Sequence, residues 1–287
     1  MKKKNKAKWM LSLSMIIFGT IGLFTRNIVV TSGELALYRA ILATLLIGGY
    51  FAISGKKIDV KAIKKELLLL LFSGMAMGIN WILLFEAYKH TTISIATLSY
   101  YFAPMIVTVV CPLLFREHIS KKQLFCFAMS TLGMVLIIGF EGIKGGNNHI
   151  LGIGLGLGAA VFYACVILLN KFIKNVEGIH RTFLQFLAAI VILVPYVLAA
   201  GERRIGELDI KGWICLLIIG LIHTGITYCM YFSAMKELNG QEVAILSYLD
   251  PLVAVLVSVF VLGEPMTSMQ FLGGALILGF TLWNEKR

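Results

Sequence analysis

The 287-residue chain is 59% hydrophobic and 14% charged, with a mean hydropathy of +0.87. A soluble fold of this length needs far more polar cover, so the expected solvent is a lipid bilayer. The net charge of +11 could suggest nucleic acid, but a basic footprint is informative only when the charges share one face of a fold; here they sort by membrane side, and nucleic acid is not an expected partner.

Apolar segments run at 9–29, 33–53, 66–88, 93–115, 123–140, 150–170, 182–200, 212–233, 242–262 and 268–283. They predict an all-α membrane protein of ten transmembrane helices, since most reach the ~20 residues that cross ~30 Å of hydrocarbon. The fifth and tenth are shorter, as peripheral spans can be. The basic start, Lys2 to Lys8, resembles a secretory signal, but no small-x-small cleavage site follows before Arg26, so the first segment is expected to remain as a span. Placing the N-terminus in the cytoplasm puts nineteen Lys and Arg inside and six outside, with Arg39 within a span. The positive-inside rule then predicts a multi-pass plasma-membrane protein with both termini cytoplasmic.

Residues 63–123 align without a gap on 210–270, with fourteen of sixty-one pairs identical. The identities include Gly78 with Gly225, Lys89 with Lys236, Tyr101 with Tyr248, Pro104 with Pro251, Glu117 with Glu264 and Gln123 with Gln270. Self-similarity of this length indicates duplication. Five spans per copy is an odd number, which forces the copies, 1–144 and 145–287, to enter the membrane from opposite sides. The junction falls at Gly145-Gly146-Asn147-Asn148, a polar stretch expected to be a flexible linker. Inverted repeats are the architecture of secondary transporters, in which two halves rock about a shared midplane site.

Pro104 and Pro251 fall near the middle of the fourth and ninth spans, where proline cannot donate to the carbonyl four residues back. Helix interruptions at equivalent places in two repeats point to a binding site. The flanking segments, Leu98 to Pro104 and Leu246 to Pro251, bring Ser99, Tyr100, Tyr101, Ser247, Tyr248 and Asp250 to midplane depth. An ionised carboxylate there costs at least ~2.5 kcal/mol, so Asp250 must face the interior and hold a partner or a proton. It is either a proton-coupling or cation-binding group or a structural hydrogen-bonded acid. In the eighth span His223, Thr227 and Tyr231 form an i, i+4, i+8 polar stripe expected to face the cavity. His223 is either a satisfied core imidazole or, as a group that titrates near neutrality, the partner of Asp250 and a second proton-coupling candidate. Asn80 and Trp81 align with Thr227 and Tyr228 and are expected on the same cavity wall.

Arg39 is explained equally by snorkelling to the interface and by substrate contact. Glu117 and Glu264, each thirteen residues past its proline, are expected to be structural acceptors at a turn. The Gly154, Gly156, Ala159 match to a dinucleotide loop sits mid-span with no preceding strand, so these small residues are read as helix contacts. All five cysteines lie in apolar segments without metal-ligand spacing, and neither a cofactor nor a metal is expected. The GxxxxGK[ST] phosphate loop is absent, so energy is expected to come from a gradient. With no convergent nucleophile, base and metal set, the chain is not expected to be an enzyme.

Pro104 through Phe115-Arg116-Glu117 and Pro251 through Leu262-Gly263-Glu264 share a polar-aromatic-Pro segment, an apolar run and an (L/F)-x-E turn. In this pattern the chain resembles the EamA-like ten-span family of the drug/metabolite transporter superfamily. Asp250-Pro251 stands where that family often has Glu-Pro, and the first copy has Ala103 there. The resemblance implies a ten-helix basket around a central cavity and export of amino acids, related metabolites or toxic compounds. The expected partners are a small-molecule substrate and the bilayer; one chain suffices to enclose the cavity, and a dimer is compatible with it. The alternative reading is a membrane sensor or scaffold that keeps the fold without moving substrate.

Overall fold

The computed structural model describes residues 2–54, 60–115, 120–144, 146–176, 178–201, 203–235, 237–238, 246–247 and 249–285. Among them every regular element is helical: α1 (Lys2–Gly19), α2 (Ile21–Thr25), α3 (Ser32–Ser54), α4 (Val60–His90), α5 (Ile93–Tyr100), α6 (Ala103–Phe115), α7 (Lys121–Lys144), α8 (Gly146–Phe172) and α9 (Gly178–Ala200). The second half continues with α10 (Ile210–Leu217), a π-helical stretch (Ile218–Ile226), α11 (Thr227–Met235), α12 (Leu249–Leu256), a second π-helical turn (Val257–Val261) and α13 (Ser268–Glu285). Six of these helical runs are long and apolar enough to cross a membrane, and Ile93–Val107 and Leu249–Val261 are shorter apolar helices.

Local chemistry sets the boundaries. Thr92 caps α5 by accepting from Ile95 N, and Asp209 caps α10 by accepting from Gly212 N at 2.7 Å. The identical pair Gln123 and Gln270 has a physical reason. Ser120 and Gln123 exchange backbone-to-side-chain hydrogen bonds ahead of α7, and Thr267 and Gln270 do the same ahead of α13, so the duplication preserves a capping box at each helix start.

Packing follows the same symmetry. Where α4 packs on α8, its counterpart α11 packs on α1; where α6 packs on α8, α12 packs on α1; where α4 packs on α9, the π-helical counterpart of α4 packs on α3. Two contacts join counterparts directly, α3 with α9 and α7 with α13, and α5 packs on α12 across the copies. The copies are therefore interlocked rather than side by side. Small residues allow the closest approaches: a Cβ on Gly156 would stand 2.9 Å from Ser99 Cβ, and one on Gly19 would stand 2.5 Å from the Asp250 carbonyl.

Polar groups gather at two ends. One end holds Arg26, Glu34, Glu86, Thr91, His149 and Glu264 in mutual or backbone contacts. The other holds Lys3 with Glu237, and Glu66, which accepts from the backbone N–H groups of Lys174, Asn175 and Val176. Apolar packing fills the zone between them.

The first expected span is one apolar helical run, Lys3–Thr25, with a turn at Thr20 between α1 and α2. One expectation is corrected. The stretch expected as a flexible linker is mostly helical, because α8 begins at Gly146 and includes Asn147 and Asn148. Tyr248, Glu117 and Lys236 lie outside the described residues.

Candidate functional site

Two kinds of helix irregularity shape the interior. At the first proline α5 ends at Tyr100, Tyr101 and Phe102 form a turn, and α6 starts with Ala103-Pro104, so the missing proline N–H falls in a first helical turn where no donor is needed. Pro251 likewise occupies the first turn of α12. The second irregularity is the π-helical stretch of the eighth span. Its wider turn shifts side-chain reach from four residues to five: Thr224 Oγ1 donates to the Ile219 carbonyl at 2.8 Å, Thr227 Oγ1 to Ile222 at 2.7 Å, and His223 Nδ1 lies 3.3 Å from the Ile218 carbonyl. Such stretches are rare and concentrate where a helix serves a function.

These breaks surround a space walled by aromatic residues from both copies. Tyr101 donates its hydroxyl to Asp250 Oδ2 at 2.5 Å, linking the first-copy break to the second-copy acid. The Tyr100 ring stands 5.7 Å from Tyr101 and 5.1 Å from Tyr163 on α8; Phe18 on α1 meets Tyr228 at 5.1 Å and Tyr231 at 6.5 Å. Asp250, Tyr100, Tyr101, Tyr163, Tyr228 and Tyr231 are each half-buried.

Arg39 stands on the opposite side of this wall and is only 3% exposed. Its guanidinium lies 4.3 Å from the Trp81 ring and 5.2 Å from Phe85, and its Nε donates to Thr224 Oγ1 at 3.0 Å. Tyr88, Tyr100 and Tyr228 lie within electrostatic reach of both Arg39 and Asp250. A cation and an acid thus face a common set of tyrosines.

The expected site residues separate into two groups. Tyr101 meets Asp250 and Tyr100, Tyr231 meets Phe18, Trp81 packs on Arg39 and Phe186, and Ser247 is half-buried three residues before Asp250. Asn80 instead donates to the Ala159 carbonyl at 2.6 Å, inside the α4–α8 contact, and Ser99 is packed against Gly156 with its hydroxyl unpaired among the described residues. Thr227 is fully buried with its hydroxyl on its own helix. His223 does not pair with Asp250: its Nε2 lies 3.0 Å from Thr20 Oγ1 and its ring meets Phe24 edge-on, because the α1–α2 turn places Thr20 in its path. Sequence reasoning missed Thr224, Tyr163 and Tyr88. A four-residue period excludes Thr224 from the His223 stripe, and only the π turn brings it to Arg39.

At the Arg26 end the copies are closed over the chamber. Glu264 accepts from Ile93 N at 2.8 Å, from Ser258 Oγ and from Arg26, while Ser258 Oγ accepts from Ser94 N at 3.2 Å. The start of a first-copy helix is thus capped by second-copy side chains. Gly263, at φ +65°, makes the turn that aims Glu264 there. Outside, between α4 and α9, two grooves of 220 and 160 Å³ are lined by aliphatic side chains such as Ile82, Leu193 and Leu70, with only the Tyr196 hydroxyl as a polar group; they face the lipid zone rather than the chamber.

The comparisons with known proteins agree with this architecture. The EamA-like transporter family matches twice, over residues 5–139 and 150–284. The "Uncharacterized transporter YxxF" of Bacillus subtilis is 31% identical across 96% of this chain and 88% of its own. The "Probable amino-acid metabolite efflux pump" of Salmonella typhimurium is 27% identical over 57% of this chain and 58% of its own. A solved crystal structure superposes with a TM-score of 0.66 over 99% of both chains at 16% identity, a likeness of fold alone. The chain is a multi-pass helical membrane protein that belongs to the EamA-like transporter family of the drug/metabolite transporter superfamily.

Proposed function

We propose that this protein is a secondary active exporter of amino acids or related small metabolites, working by alternating access. In this reading ten spans form two inverted five-helix repeats, 1–144 and 145–287, with both termini in the cytoplasm of a plasma-membrane protein. The observation that carries it is the Tyr101–Asp250 hydrogen bond, which joins the proline break of one copy to the acid of the other among half-buried tyrosines. The efflux naming of the Salmonella relative supports export and an amino-acid-like cargo. Two interlocked copies give two pseudo-symmetric arrangements, and a ligand selects between them by its differential affinity.

Asp250 supplies the coupling. An uncompensated carboxylate at bilayer depth costs at least ~2.5 kcal/mol, so when enclosed it holds either a proton or the ammonium of the cargo, and when opened to water it exchanges one for the other. Competition for one carboxyl makes proton entry and cargo exit alternate. Purified protein in proteoliposomes loaded with a labelled amino-acid mixture, with and without an inward proton gradient, tests this. Gradient-driven release is expected from the wild type; Asp250→Asn should keep its expression and fold, lose gradient-driven release and keep at most exchange. Undiminished proton-driven release by well-folded Asp250→Asn would leave the carboxyl a structural acceptor.

A further inference from the structure

Arg39 is the most unusual residue of the interior. It sits in the third turn of α3, is 3% exposed, and has a single hydrogen bond, from Nε to Thr224. No ion pair engages it among the described residues, and its two terminal nitrogens make no hydrogen bond among them. The rest of the group is held rigidly. Trp81 and Phe85 stack on its face, and Thr224, its own hydroxyl committed to the Ile219 carbonyl by the π turn, accepts from Nε. Snorkelling would require the guanidinium to reach water at the helix end, and this one is turned inward.

A buried guanidinium without an anion is unfavourable, and ring stacking recovers only part of the lost hydration. What such a group lacks is a planar anion that can take two parallel N–H donors. We propose that Arg39 is a carboxylate receptor: the carboxylate of the cargo docks on its two terminal nitrogens. This rests on the exporter reading above and adds which end of the cargo is recognised, and by what. It also makes a bare organic cation a poor substrate, because it would leave Arg39 uncompensated.

Trp81 reports the event, since its ring lies 4.3 Å from the guanidinium carbon. In full-length protein in lipid nanodiscs, Trp9, Trp213 and Trp283, all exposed, are replaced by Phe so that only Trp81 emits. Phenylacetate, L-phenylalanine and phenethylamine are then titrated; they share the ring and differ in charge. Both carboxylates are expected to change Trp81 emission saturably. Arg39→Gln should weaken both by about tenfold or more while leaving phenethylamine unaffected, and Arg39→Lys, which keeps the charge but not the fork, should fall between. Acetate should compete with phenylacetate better than chloride does. The assignment is overturned if neither carboxylate gives a saturable response in the wild type, if Arg39→Gln and Arg39→Lys bind them as the wild type does, or if chloride competes equally. Failure here with intact proton-driven release removes Arg39 as receptor and leaves the exporter reading standing; Arg39-dependent binding without any release does the reverse.

Discussion

At the residue scale the interior is a set of polar groups, each with a specified partner. Tyr101 and Asp250 make the contact on which the proposed coupling depends, and Tyr101 is the only side-chain hydrogen-bond partner of that carboxylate among the described residues. A hydrogen bond to a charged group contributes about 1.5–3 kcal/mol, and its loss leaves a buried acceptor unmet. Tyr101→Phe should therefore fold but slow gradient-driven release by about tenfold or more, a factor that corresponds to roughly 1.4 kcal/mol. Tyr163→Phe, which keeps the ring against Tyr100, should be milder. Equal rates for the two variants in the proteoliposome assay would mean that the Tyr101 hydroxyl contributes nothing to the step. The same scale explains why His223 does not pair with Asp250: its ring is held by Thr20, Phe24 and the Ile218 carbonyl, leaving Asp250 to Tyr101.

At the scale of elements, close approach of α1 to α12 and a π turn packed on α3 position the chamber wall. Gly19 is where α1 meets the Asp250 backbone, and an added Cβ would stand 2.5 Å from that carbonyl and 2.7 Å from Val253 Cβ. Backbone cannot step aside as a flexible side chain can, so Gly19→Ala should destabilise by about 1–3 kcal/mol through overpacking and should also displace Asp250. Gly49→Ala is the matched control, since its Cβ meets nothing within 4 Å and the change removes only a helix-interior glycine. Thermal unfolding of both in nanodiscs checks this: a drop in Tm for Gly19→Ala alone is expected, and an unchanged Tm would mean that the two helices separate at no cost.

For the whole molecule, the arrangement of contacts is a consequence of duplication. Ile93, which starts a first-copy helix, meets Glu264, which follows a second-copy helix, so the equivalent helices run in opposite directions. Ser120 and Ser268, at the starts of α7 and α13, should therefore lie on opposite membrane faces. In a variant freed of its native cysteines, Ser120→Cys should react with an impermeant thiol reagent only from the cytoplasmic face, and Ser268→Cys only from outside. Reaction of both from one face would end the inverted-repeat reading and with it the rocking mechanism.

Much of this was legible in the chain itself, because bilayer solvation is a one-dimensional constraint. Span positions follow from ~20-residue apolar runs and duplication from ungapped identities, whereas the capping boxes behind the Gln123 and Gln270 identity became visible only in the hydrogen bonds of the fold. The prolines marked the helix starts around Tyr101 and Asp250 for the same local reason. Which polar side chain meets which is a different kind of question. Periodicity shows only that a residue avoids lipid, so Asn80 and Ser99, buried in helix contacts, looked the same as Tyr101 in the chamber wall. The π-helical stretch then changed the turn under His223, Thr224 and Thr227, transferring the role of Arg39's partner to a threonine that an α-helical stripe omits. Glu264 capped a helix 171 residues away rather than its own turn. Only the tertiary structure could decide these pairings, since they are made between copies that the sequence relates by similarity but does not place in contact.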